Sequence, residues 1–300
     1  MRWEDYRRSD NVEDRRGETE YASAGQSFGG GGGGGLGIGA IVVLGLIGWA
    51  FGIDPRLLIG GAELFNGARH SQTQSAPPQP QSKQAGTPTD QMGQFVAAVL
   101  AENEDVWTDI LPSQAGVNYV KPKLVLYSGS TRSGCGGASA SMGPFYCPND
   151  QKVYLDTSFF RDMKEKLGGG GDFAYAYVIS HEIGHHIQNL LGILPKVQAA
   201  QQRASKADAN ALSVRVELMA DCLAGVWAAN AQKKYQILQP GDVDKAINTA
   251  QAIGDDRLQK QAQGYVVPDS FTHGSAAQRE QWLNTGLKSG EVNACNTFKR

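Results

Sequence analysis

An α+β domain, mostly helical with a small sheet and preceded by one transmembrane helix, is the class that the sequence predicts, on three observations. Leu36 to Ile53 is an uncharged apolar run of 18 residues, long enough to carry a helix across a bilayer. Beyond it, strand-like runs fall early, and helical spacing of apolar residues dominates from Asp172 onward. The composition, 41% hydrophobic and 8% aromatic over 300 residues, supports a real core and rules out wholesale disorder. With 28 basic and 30 acidic residues the net charge is -2. That balance lacks the basic footprint of a nucleic-acid-binding protein and excludes that class. Seven of the 38 glycines form one run, Gly29 to Gly35, without a longer period, so collagen-like architectures fail too.

Residues 1–35 read as a disordered tail and glycine run. The first 28 residues hold Arg2, Arg7, Arg8, Arg15 and Arg16 among seven acidic residues and show no sustained apolar period. Residues 36–53 are the expected membrane span. A buried core helix would carry a polar stripe, and a cleaved signal peptide would end its shorter apolar region in small residues. Ile53-Asp54-Pro55-Arg56 is no such site, so an uncleaved anchor is expected. Five basic residues precede the span, and only Arg56, Arg69 and Lys83 follow closely. That asymmetry puts the amino terminus in the cytoplasm and the rest outside it. Residues 54–89 form a linker, rich in Gln, Ser and Pro from Gly67 on. The four cysteines lack C-x-x-C spacing. An even number in an exported domain suits two disulfides, and of three possible pairings Cys135 with Cys147 and Cys222 with Cys295 is favoured, closing a short loop and pinning the chain's end.

Residues 90–300 form the domain. Phe95, Val99, Val106 and Ile110 mark a helix over 94–111 that Pro112 ends. Lys121 to Tyr127 and Lys152 to Leu155 read as strands. A helix capped by Asp172 runs to about Leu191 and is closed by Gly192. Its core stripe is Ala176, Ile179, Ile183, Ile187 and Leu190. A second long helix spans about 205–233, with Leu212, Val216, Met219, Leu223 and Val226 inward; further helices begin near Asp242 and Ser275.

The first long helix carries His181-Glu182-Ile183-Gly184-His185. Residues four apart lie about 40° from each other around a helix, so the two histidines can grip one ion together. Glu182, turned about 100°, stands beside that ion, where it can take a proton from a water the metal polarises. His186 points about 140° from His181 and is expected to support the site or face the surface. On the second helix Glu217 completes a His₂Glu set, leaving the fourth zinc position open. Asp221, one turn on, can accept the free ring N–H of His181. The alternative for Glu217 and Asp221 is an exposed acidic stripe. A metzincin would need Gly at Gln188 and His at Leu191, so that variant is excluded.

The stretches CGGASASMGPFYCPNDQKVYLD, GDFAYAYVISHEIGHHIQNLLG, ELMADCLAGVWA and SFTHGSAAQREQWLNTG resemble the neutral zinc metallopeptidases of the YpfJ-like, gluzincin type. The resemblance covers nearly all of 92–300, and the amino-terminal anchor also looks like that family's. It implies a zincin-like domain with Zn2+ at His181, His185 and Glu217 and Glu182 as the catalytic base. Thr272-His273-Gly274 and Arg279 resemble the T-H-P turn and downstream arginine of membrane gluzincins, with Gly in place of Pro. That likeness implies His273 as an oxyanion donor; the alternative is a residue capping the helix at Ser275. The expected function is a membrane-anchored zinc endopeptidase acting on peptide or protein substrates, with 152–155 as an edge strand that aligns the peptide. The competing classes are a zinc-binding scaffold without proteolytic activity and a metal-dependent hydrolase of non-peptide amides.

Overall fold

The structure, a computed structural model, describes residues 1–17, 88–166 and 170–299. Residues 36–53, expected to span a membrane, and nearly all of the expected linker lie outside the described residues. Among those described, no helix is long and apolar enough to cross a membrane. The elements are β1 (Val12–Asp14), α1 (Gln91–Ala115), β2 (Lys123–Tyr127), β3 (Ser130–Ser133), β4 (Gly136–Ser139), β5 (Phe145–Cys147) and β6 (Lys152–Asp156). Helices follow: α2 (Ser158–Lys166), α3 (Asp172–Leu190), α4 (Ile193–Gln201), α5 (Lys206–Tyr235), α6 (Asp242–Ala252), α7 (Asp255–Gln263) and α8 (Ala276–Ser289). The α+β class, mostly helical with a small sheet, matches the expectation.

The sheet order is β1-β2-β6-β5, with β5 antiparallel to β6 and the other pairs parallel. Side chains alternate across it as strand geometry requires. Leu124, Leu126, Val153, Leu155 and Tyr146 face the helices and the main core. Val125, Tyr127, Tyr154, Phe145 and Cys147 face the other way, under Ala138 of the β3–β4 hairpin. The Cys135–Cys147 disulfide ties that hairpin's turn to β5, and Cys222–Cys295 is the second bridge. Both pairings are those favoured from the sequence.

Residues 1–17 are not a disordered tail. Val12, Glu13 and Asp14 pair in parallel with Leu124, Val125 and Leu126, extending the sheet at β2. Met1, Trp3 and Val12 are buried in the main core. Trp3 meets Phe95 edge-on and donates Nε1–H to Asp172 Oδ2 at 3.1 Å. The buried Glu104 carboxylate accepts from Ser9 Oγ (2.6 Å), Asn11 Nδ2 (2.7 Å) and Arg7 Nη2 (2.9 Å). The arm's three buried apolar residues are too scattered to show a period, and several of its charges, Arg7, Glu13 and Arg16 among them, pair with the domain.

Three smaller expectations are corrected. The strand at 152–155 is no edge, because β2 and β5 flank it; β5 is the outer strand on that side. Pro112 does not end α1, which runs to Ala115 and closes at Gly116 in the left-handed conformation (φ 68°). Pro112 is exposed and removes one amide donor, and Ser113 Oγ donates to the carbonyls of Asp109 and Ile110. Gly171, not Asp172, occupies the cap of α3, and Asp172 is its first helical residue.

Helix α3 packs on α5 at the point where Gly184 meets Ala220. A Cβ on Gly184 would lie 3.1 Å from both the Cα and the carbonyl oxygen of Ala220. The H-E-x-x-H motif thus spends a variable position on close approach, which brings the Glu217 turn of α5 within reach of its histidines. On the other side α5 meets α8 backbone to backbone, where a Cβ on Gly286 would fall 1.9 Å from the Cys222 carbonyl oxygen.

Candidate metal centre

His181 and His185 project from one face of α3 and meet Glu217 of α5. Among the described residues these three form the one group able to hold a metal, with ligand atoms within 4.8 Å of one another and all three side chains buried. His181 Nε2 lies 3.1 Å from Glu217 Oε2. His185 Nε2 lies 3.5 Å from Glu217 Oε1 and makes no hydrogen bond.

The far nitrogens of both rings are fixed. His181 Nδ1 donates to Asp221 Oδ1 at 2.9 Å, as expected. Asp221 is held in turn by Arg279 Nε (2.8 Å) and Nη2 (2.9 Å) and by the Tyr177 hydroxyl (2.6 Å). His185 Nδ1 donates to Gln188 Oε1 at 3.0 Å, and Gln188 Nε2 donates to the Val216 carbonyl at 2.7 Å. Each Nε2 is therefore the nitrogen left for a metal. The sequence points to Asp221 and Arg279 but not to Gln188, whose i+3 spacing from His185 is the local signal for it.

Charge within this buried pocket is balanced. Burial pushes Asp221 up, but the Arg279 charge and hydrogen bonds hold it down at about 2. Against burial, His185 and His181 keep Glu217 below the ordinary carboxylate range. Burial pulls His181 down, yet its bonds to Asp221 and Glu217 raise it to about 10. A metal at Nε2 would displace the proton that faces Glu217. Burial pushes the Glu182 carboxyl up, opposed by His185 and His181. Of the buried atoms without a hydrogen-bond partner among the described residues, His185 Nε2 and Glu182 Oε2 belong to this H-E-x-x-H turn. Two imidazoles, one carboxylate and an orphaned ligand nitrogen fit the donor set of zinc.

His186 faces elsewhere, between the Tyr146 hydroxyl (3.0 Å) and the Val120 carbonyl (2.6 Å). His273 is not in the metal-holding group, and its charge acts on Glu217 from beyond it. Its turn is clamped by Asp255, which sequence reasoning missed. Asp255 Oδ2 accepts from the amides of Thr272 (2.7 Å), His273 (2.7 Å) and Gly274 (3.0 Å), and Oδ1 lies 3.4 Å from His273 Nδ1. Burial lowers His273, but Asp255 raises it, with a net shift toward the protonated, donating form. In sequence Asp255 is an acid in the first turn of α7, a place where acids occur for the helix dipole alone.

A family model described as "Putative neutral zinc metallopeptidase" matches residues 1–298. The chain belongs to that family. It is 48% identical over 301 residues to "Uncharacterized protein YpfJ" of Escherichia coli K12, covering 99% of each chain. It is 44% identical over 203 residues to "Uncharacterized protein Mb2605" of Mycobacterium bovis, covering 64% of this chain and 66% of that one. No solved structure matches. Zinc is the metal of the family, and His181, His185 and Glu217 are the residues able to hold it.

Proposed function

We propose that this member of the zinc metallopeptidase family is an endopeptidase of peptide or protein substrates in which Glu182 handles the proton. The observation that carries the reading is the buried, unpartnered Glu182 Oε2 beside a His₂Glu group whose rings are already turned for metal. Zinc, when bound, supplies Lewis acidity toward a water and toward the scissile carbonyl. Glu182 accepts the proton of the attacking water and passes it to the leaving amine nitrogen, a task suited to a carboxyl raised by burial. Asp221 with Arg279 and Tyr177 holds His181 in place, and Gln188 holds His185. His273, held at Nδ1 by Asp255 and raised toward its protonated form, would donate to the oxygen that becomes negative as the carbonyl is attacked. Among the described residues β5 pairs on one side only, with β6. Its Tyr146 reaches Asn189 and His186 of α3, so its outer edge is the one suited to align an extended peptide.

A scaffold that keeps zinc for folding alone would have no use for Glu182. Hydrolysis of casein or a peptide library by the full chain, compared with Glu182→Gln at equal zinc content, tests the reading. Equal turnover by the two, or none by either, overturns it.

A further inference from the structure

The amino-terminal arm and the metal-holding body are separated in sequence by the apolar run 36–53, yet they are one folded unit. β1 lies in register on β2. The Met1 ammonium, itself buried, pairs with Asp242 Oδ2 at 3.0 Å, beyond the far end of α5. Arg16 pairs with Asp90 at 2.5 Å, at the cap of α1. Glu13 pairs with Lys152 (2.9 Å) and Lys123 (3.2 Å). The arm therefore grips the body at several points along its length, and at one of them it completes the shell of the buried Glu104.

We infer that the arm and the metal-holding body stand on the same side of any membrane to which the chain is attached. A single crossing between residues 17 and 88 would leave them on opposite sides, and no bilayer-thick separation is compatible with the pairing of β1 to β2. Exchange of arms between copies does not rescue a single crossing, because every copy inserted alike has its arm on the far side. The arginines that suggested a cytoplasmic tail have a different use: Arg7 pairs with Glu104 and Asp105, Arg15 with Glu13, and Arg16 with Asp14 and Asp90. This arrangement replaces the one-span orientation expected from counting basic residues, and it does not depend on the proposed peptidase activity.

The test uses the full chain in sealed membrane vesicles of one orientation. All four native cysteines are paired, so Asp10→Cys on the exposed arm and Lys260→Cys on the exposed body each add one free thiol. A membrane-impermeant maleimide is expected to reach both before the vesicles are opened, or both only afterwards. One thiol labelled before opening and the other only after it would overturn the inference. In the same vesicles a zero-length carbodiimide should join Glu13 to Lys152 or Lys123 within one chain, read as a cross-linked peptide by mass spectrometry. The Lys123→Arg, Lys152→Arg double variant should lack that peptide, and its absence from the unmodified chain would equally sink the docked arm.

Discussion

Two buried carboxylates organise this molecule, Asp221 behind the metal group and Glu104 beneath the arm, and their surroundings differ in one respect. Around Glu104 the polar atoms are matched: Ser9 and Asn11 serve Oε1, and Arg7 with Lys121 serves Oε2. Around Asp221 the matching is as full, but it stops one atom short of the cavity, at His185 Nε2 and Glu182 Oε2. Burial of a polar atom without a partner costs about 1–3 kcal/mol. Such an atom alone marks no chemistry, since Glu102 beneath the arm keeps two of them. At the metal group the gap falls on a ligand nitrogen and on the carboxylate beside it, where an ion and its water can meet both.

If that distinction holds, damage to the two clusters should separate cleanly. The largest effect is expected at the ligands. His185→Ala should take zinc from about one per chain to none, measured by elemental analysis, with turnover abolished. Glu182→Gln should retain the metal and lose turnover by about a thousandfold, the scale of a removed general base. His273→Ala should also keep its zinc and lose about a hundredfold in turnover with little change in substrate affinity, because the lost donor acts chiefly on developing charge. Normal turnover there would leave His273 as a capping residue only.

On the arm side Trp3→Ala should cost about 3 kcal/mol of stability by emptying a core site, read as a lower melting temperature. Zinc content and turnover at low temperature should be unchanged; loss of zinc in step with stability would erase the contrast between the regions. A pH-dependent effect concerns Glu102, which lies beneath the arm with both carboxylate oxygens unpartnered and is raised by burial from its ordinary 4.5 to about 8. The folded chain binds this proton more tightly than the unfolded one. Stability contributed by the neutral form is therefore full below about 4.5 and is lost as pH rises to about 8. Glu102→Gln removes that dependence, so its melting temperature should gain on the parent's as pH rises, by several degrees at about pH 9 and not at about pH 4. A constant difference across that range would show that Glu102 does not titrate as argued.

Legibility followed the same divide. The metal group was readable because helix geometry turns a spacing of four into a shared face: His181 with His185, and Glu217 with Asp221, each fall within one turn. The two long helices were readable from their apolar periods, and their expected starts at Asp172 and about Ser205 fall within one residue of those observed. What escaped depends on residues far apart in the chain. β1 takes its register from residues more than a hundred positions away, and Asp255 reaches across 17 to 19 residues to the turn it holds. The strand at 152–155 was found, but its place inside the sheet rests on two neighbours whose pairing no local pattern encodes.

The Cys222–Cys295 bridge closes a loop of sequence separation 73 that begins one residue after Asp221. His181, Glu182, His185 and Glu217 all precede that loop, whereas Asp255, His273 and Arg279 lie within it. The bond therefore divides the site into a half that grips the ion and a half that supplies the counter-charge and the donor. The two halves meet where Arg279 holds Asp221, which in turn orients the His181 ring. Both cysteines are fully buried, so the bridge should resist a thiol reductant in the folded chain and keep the loop's arginine on the helix that carries Glu217.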